Sequence, residues 1–251
     1  MENVVVFLVC IISGIFTGLL GIGGGLIIVP AFLVILPLFN ITTISTHEII
    51  GISSTVVLLN SLAGLFYRRG EEYLEKRFLI KSTIFIILGT IISAYFSSFA
   101  PIKPIFGLYC LVALTSIYLI KKDVYFDFKG KYREFLLNLT FALIGAISAA
   151  IGIGGAVLFA TALKCFTKKT PKELLPTITF FVAFHALFAF LGKLSSGIII
   201  LNIIPFALVA SFIGAKIGVK ISKKLSSNAI SNMMIAVLIL GIIKIGFEII
   251  K

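Results

Sequence analysis

Apolar residues gather in eight runs, at about 4–38, 47–67, 79–99, 104–120, 135–163, 174–191, 198–219 and 229–250, with polar clusters between them. Six approach the roughly 17–25 residues that one helical crossing of a bilayer takes. The first and fifth are longer than one crossing. Each is interrupted at a matching place by glycine, in "LLGIGGGLIIVP" (19–30) and "AAIGIGGAVLFA" (149–160). The pattern predicts an all-α polytopic membrane protein. The one sizeable polar linker, "KKDVYFDFKGKYRE" (121–134), separates a first transmembrane repeat, 1–120, from a second, 135–251.

The two halves align with each other. A shift of 131 residues sets Gly14 on Gly145, Gly21 on Gly152, Gly23 on Gly154 and Gly24 on Gly155, while Ala156 replaces Gly25. After a shorter loop, Glu48 falls on Glu173, Ser54 on Thr179 and Asn60 on His185. Later still, "GTIISA" (89–94) resembles "ASFIGA" (210–215). Internal repeats in membrane proteins mark transporters whose binding site lies between the halves.

Composition agrees with this picture and narrows it. The 251 residues are 59% hydrophobic and 13% charged, with mean hydropathy +1.17, whereas soluble domains sit near 45–50% apolar and about 25% charged. The formal net charge of +12 lies mainly in short loops between apolar runs, the topogenic pattern of membrane proteins. No nucleic-acid partner is expected; the excess of bases suits anionic lipid headgroups. Cys10, Cys110 and Cys165 have no CxxC spacing, so neither a disulfide framework nor a metal cluster is expected. The first basic residue is Arg68; without a basic n-region, the first apolar segment is expected to persist in the mature protein.

Loop charges bear on orientation. In the first half the successive loops carry no base (39–46), five (Arg68, Arg69, Lys76, Arg77, Lys81) and one (Lys103). In the second half they carry four (Lys164, Lys168, Lys169, Lys172), one (Lys193) and four (Lys216, Lys220, Lys223, Lys224). Basic loops stay on the cytoplasmic side, so equivalent loops face opposite sides and the repeats are inverted. The basic linker and the 164–172 loop then both lie in the cytoplasm. The fifth run must begin and end on one side, as a glycine-broken helical hairpin followed by three transmembrane helices. By symmetry the first run begins and ends outside. The alternative, eight plain transmembrane helices in parallel repeats, leaves the charge phasing unexplained.

Backbone that leaves helical geometry inside a membrane survives only within protein or beside a water-filled cavity. Glycine permits such a break, because it reaches positive φ cheaply and lets another group approach the backbone. The segments after each cluster look helical, so each cluster sits at a helix N-terminus, where free N–H groups and the dipole attract anions. Gly21, Gly23, Gly24 and Gly25, with Gly152, Gly154 and Gly155, are therefore candidate pathway residues for an anion held without a buried lysine or arginine. Gly14, Gly18, Gly89 and Gly214 read instead as close-packing positions.

Intramembrane polar residues are the next candidates. Ser53 and Ser54 near the start of the second run, and Thr179 at the matching place, can donate hydrogen bonds to an oxyanion or bond back to their own helix. Asn60 and His185 occupy equivalent positions; the histidine can couple proton movement to transport or join helices by hydrogen bonding. Glu48 and Glu173 begin helices, where capping is the default role. No cluster of ionisable residues marks a catalytic centre, a metal site or a fixed cofactor, which disfavours a membrane-embedded enzyme or accessory subunit.

These residues also carry a resemblance. "GIFTGLLGIGGGLIIVPAFL" followed by "HEIIGISSTVVLLNSLAGLFYRRG" resembles the first repeat of the TauE/SafE sulfite exporter family, also called the 4-toluene sulfonate uptake permease family. "GAISAAIGIGGAVLFATAL" and "IPFALVASFIGAKIGVKISKKL" resemble its second repeat. The resemblance implies a multi-pass carrier in the plasma membrane for sulfite, a sulfonate or another sulfur-containing or organic anion. By position, the seven glycines named above, except Gly25's counterpart Ala156, fall on the family's glycine motifs, and Ser53 and Ser54 on its small-hydroxyl segment. "PTIT" (176–179) departs from the Gly-Thr-Ser-like run of the family.

The expected function is transport of a small anion by alternating access at a site formed by two glycine-rich breaks. A proton or sodium gradient would drive it, since nothing resembles an ATPase motif. A passive anion channel is the competing reading.

Overall fold

The computed structural model describes residues 2–25, 27–28, 31–32, 46–96, 102–122, 124–126, 130–151, 154–195 and 204–250. All regular structure among them is helical: α1 (Glu2–Leu20), α2 (Thr46–Tyr67), α3 (Lys76–Phe96), α4 (Ile102–Lys122), α5 (Gly130–Ile151), α6 (Ala156–Phe166), α7 (Pro171–Ser195), α8 (Ile204–Lys224) and α9 (Ser227–Ile250). The segments Tyr132–Ile151, Pro171–Leu194 and Ile204–Lys224 are long and apolar enough to cross a bilayer. The loop at 39–46 and the start of the second half of the first break lie partly outside the described residues.

The fifth apolar run is not one helix. It breaks between α5 and α6, and its two ends return to the same end of the bundle, where Arg133 in the first turn of α5 donates to the carbonyl of Phe166, the last residue of α6. Phe126 N donates to Cys165 O at 2.8 Å, and Lys164 Nζ to Ile120 O at 2.9 Å. With 11 residues, α6 spans only about 16 Å, so its N-terminus stands about halfway up the bundle. Four phenylalanines hold it there: Phe78 of α3, Phe141 of α5, Phe159 of α6 and Phe181 of α7 form edge-to-face and tilted pairs with centroids 5.2–6.5 Å apart. Each such pair is worth about 0.5–1.5 kcal/mol beyond its buried area.

The same end gathers the other basic turns. Leu74 N meets Thr177 Oγ1 at 3.1 Å, Lys81 pairs with Glu134 at 2.6 Å, and Lys172 Nζ reaches Leu225 O at 2.7 Å. The start of α7 is fixed by a reciprocal cap: Thr170 N and Oγ1 both donate to Glu173 Oε2 at 2.7 Å, while Glu173 N donates to Thr170 Oγ1 at 3.4 Å. This is the Thr-x-x-Glu capping box, with Pro171 at the first helical position, where its missing N–H costs nothing. Glu173 is thus a capping residue.

Helix pairing follows an exchange of halves. α1 packs on α8 as α5 packs on α3, α2 on α8 as α7 on α3, and α2 pairs with α7 and α4 with α9. α1 and α8 run parallel: a methyl at Gly14 would stand 3.2 Å from Gly214 Cα, and one at Gly18 2.7 Å from Val219 N. α3 and α5 are also parallel, with Ser82 bonded to Asn138 at 3.0 Å and Gly145 against Thr90. α2 and α7 run antiparallel, tied at one end by Leu74 and Thr177 and at the other by Ser54 and Lys193. Gly89 lies directly against the Ala142 carbonyl and Gly218 against that of Ile15. These contacts need small residues, because helices in lipid gain by close backbone packing rather than by hiding from water.

Candidate functional site

Each half of the chain loses its helix at the glycine cluster. At the end of α1, Gly21, Gly23 and Gly24 have φ of +71°, +68° and +85°, a conformation that costs other L-residues roughly 1–2 kcal/mol. Gly21 N still donates to Thr17 O at 2.7 Å; beyond the turn, Gly24 O accepts from Ile27 N and Ile28 N at 2.9 and 3.0 Å, and helix resumes at Gly25. In the second half Gly154 and Gly155 have φ of +80° and +59°, and Phe159 N donates to Gly155 O at 2.9 Å. No side chain caps the N-terminus of α6. Gly152 lies outside the described residues.

The two breaks meet at one side chain. A methyl at Gly23 would stand 2.8 Å from Val57 Cγ1 and 2.9 Å from Val182 Cγ1. A methyl at Gly154 would stand 3.2 Å from the same Val57 Cγ1 and 3.4 Å from Ile22 O. Val57 and Val182 are themselves equivalent, by the shift that sets Ser54 on Thr179 and Asn60 on His185.

Polar groups flank this centre on both sides. Toward the basic end, Asn60 Nδ2 donates to Ser13 Oγ at 2.9 Å and to Gly23 O at 3.3 Å, while its buried Oδ1 has no partner. Gly24 lies against both, a methyl there standing 2.9 Å from Asn60 Nδ2 and from Ser13 Cβ. Thr179 Oγ1 faces Gly21, 3.0 Å from where a methyl would be, and donates back to Leu175 O at 2.8 Å. Toward the other end, Ser54, Ser148, Gly154 and His185 line a void of about 10 Å³ with Val57 and Ala189. That is room for about one water molecule. Ser148 bonds back to Ile144 O and stands against Gly155. Ser53 is fully buried in α2, one residue before Ser54.

His185 is 2% exposed, and its Nδ1 lies 2.8 Å from Thr90 Oγ1. The threonine hydroxyl also reaches Ile86 O at 2.8 Å, so it links the imidazole to the α3 backbone. The ring packs edge-on to Phe159, centroids 6.0 Å apart. Asn60 and His185, equivalent in sequence, thus stand on opposite sides of the valines, joined to different neighbours.

Two cations correct the expectation that the site has no basic residue near it. Arg68, counted among loop charges, is 2% exposed just past α2. Its Nη2 donates to Gly18 O at 2.6 Å and to Ser222 Oγ at 3.3 Å, and its Nη1 to Glu71 at 2.9 Å. Gly18 O is one of the carbonyls that α1 leaves unpaired by ending at Leu20. Burial pulls the Arg68 pKa down and Glu71 pushes it back up. Lys193, also counted in a loop, belongs to the last turn of α7 and donates from Nζ to Ser54 Oγ at 2.7 Å. The signal that could have found the pair was already in the alignment: the shift that matches Asn60 to His185 sets Arg68 on Lys193.

Fold and site define a helical membrane protein organised around two internal breaks in its helices. The family model for the sulfite exporter TauE/SafE matches residues 6–245, and the chain belongs to that family. A "Probable membrane transporter protein" of Methanocaldococcus jannaschii is 29% identical over 158 residues, 59% of this chain and 56% of the relative, so the match spans just over half of that protein. No solved structure matches the chain. The family is described as a sulfite exporter, and the relative is named a probable membrane transporter.

Proposed function

We propose that the protein carries a small anion across the plasma membrane, with sulfite, a sulfonate or another sulfur-containing or organic anion as its substrate. Gly23 and Gly154, from opposite halves, share Val57 as neighbour, and this convergence carries the reading. An uncapped helix start at Gly155 supplies N–H groups and a positive dipole end beside it. The family's sulfite exporter description favours sulfur oxyanions.

In this reading the chain is two inverted repeats, 1–120 and 135–251, joined by a cytoplasmic linker at 121–134. Helix directions support it: α1 runs with α8 and α5 with α3, while the equivalent helices α2 and α7 oppose each other. The void of about 10 Å³ at the centre is smaller than any of these solutes, which favours a carrier that opens to one side at a time over a standing channel. Val57 and Val182 act as the barrier between the two polar flanks, and a proton or sodium gradient drives the cycle.

A thermal-shift screen of the purified protein against sulfite, sulfate, thiosulfate, sulfoacetate and simple carboxylates tests the substrate class. Sulfur oxyanions should raise the melting temperature in a saturable way, since a ligand that binds only the folded state stabilises it. A response to none of these anions would refute the reading.

A further inference from the structure

We propose that Lys193 is the charge-recognition residue of the anion path at the end of the bundle away from the basic loops. The proposal deepens the transport reading above and rests on it.

Lys193 lies on the α7 face that carries Ala189 and His185 one and two turns earlier, and both of these line the central void. Its Nζ is 2.7 Å from Ser54 Oγ, which lines the same void. The ammonium is half-buried, and no carboxylate pairs with it among the described residues. A charge withdrawn from water calls for an opposite charge as well as a hydrogen bond; here the partner found is a neutral hydroxyl.

Its counterpart shows what a structural cation at this position looks like. Arg68 is bound to a carbonyl, a hydroxyl and Glu71, and Glu71 also meets Lys223 Nζ at 3.3 Å. The shift that sets Arg68 on Lys193 sets Glu71 on Ser196, so the second half has replaced the neutralising acid. One cation is locked; the other keeps its charge for a solute. An anion arriving from this end meets the ammonium first, then Ser54, then the N–H groups of the second glycine break. Arriving there, it displaces Ser54 as the lysine's acceptor and loosens the tie between α2 and α7.

The test is calorimetric titration of sulfite and of methanesulfonate into the full chain in nanodiscs, comparing wild type, Lys193→Gln and Lys193→Arg. Glutamine removes the charge and keeps an N–H donor, on a side chain one atom shorter. Loss of a charge-assisted hydrogen bond should weaken binding about tenfold to a hundredfold in Lys193→Gln, with Lys193→Arg within about threefold of wild type. Lys193→Gln binding as tightly as wild type would overturn the proposal, because a tether survives that change and a charge partner does not. Acetylation of the wild-type protein with acetic anhydride, followed by peptide mass spectrometry, needs no variant. Methanesulfonate should slow modification of Lys193 and leave exposed Lys168 unchanged, and equal rates at Lys193 with and without a bound anion would also overturn it. Wild type binding neither anion would instead sink the transport reading itself.

Discussion

Gly23 and Val57 are in contact so close that a single added methyl would stand 2.8 Å from the valine's Cγ1, and Gly154 of the other half lies against that same carbon. The relationship joins two breaks, about 130 residues apart in sequence, through one apolar side chain. It makes Val57 a contact that both halves share, with Val182 as its equivalent across Gly23.

Gly23→Ala should be costly twice over. The φ of +68° strains any side chain by roughly 1–2 kcal/mol, and overpacking against Val57 and Val182 adds about 1–3 kcal/mol. Adding Val57→Ala should return the packing part and leave the backbone part. A double-mutant cycle of thermal stabilities measures the split; strict additivity would show that the contact does not exist.

The packing glycines should behave differently from glycines that face open space. Gly218→Ala and Gly89→Ala push a methyl into a neighbouring backbone, so each should lower stability by about 1–3 kcal/mol. Gly107 lies within α4 with nothing within 4 Å of its would-be Cβ, and Gly107→Ala should raise stability by roughly 0.5–1 kcal/mol through reduced chain entropy. Melting curves of the three variants in one detergent decide it.

Arg68→Ala should be among the most destabilising single changes. It leaves Glu71, Ser222 and the Gly18 carbonyl without their shared donor, and removing one partner of a buried pair costs about 3–5 kcal/mol. Arg68→Lys should recover only part, because a single ammonium nitrogen replaces the two guanidinium nitrogens that reach Glu71 and the Gly18 carbonyl separately. Equal stability of Arg68→Ala and wild type would place the residue among ordinary loop charges.

Single-cysteine labelling of intact cells tests the orientation. Glu72→Cys and Lys169→Cys should react from the cytoplasmic side and Thr43→Cys from outside. Labelling of positions 43 and 169 from the same face would contradict inverted repeats.

The helical class and the break at "GIGGA" could be read from the chain because each leaves a one-dimensional mark: run length and a burst of glycine. The return of the fifth run to its starting side was legible through charge, since the linker and the loop at 164–172 are both basic. Which residues meet across the halves was not. A helix apolar on every side offers no amphipathic face to read, so Val57 and Val182 looked like any membrane valines. Lys193 was misplaced for a related reason. A base near the end of an apolar run looks like a loop residue, and only the fold shows its stem turned inward to Ser54. The hydroxyls divided: Thr179 bonds back to its own helix, while Ser54 takes a donor from another.

The central claim is that the two glycine breaks form one anion path. Flux of radiolabelled sulfite into proteoliposomes tests it most directly, comparing wild type with Gly23→Ala and Gly154→Ala reconstituted at equal density. The account predicts saturable flux for wild type and its loss in both variants while each still elutes as a folded species. Undiminished flux through both variants would contradict it.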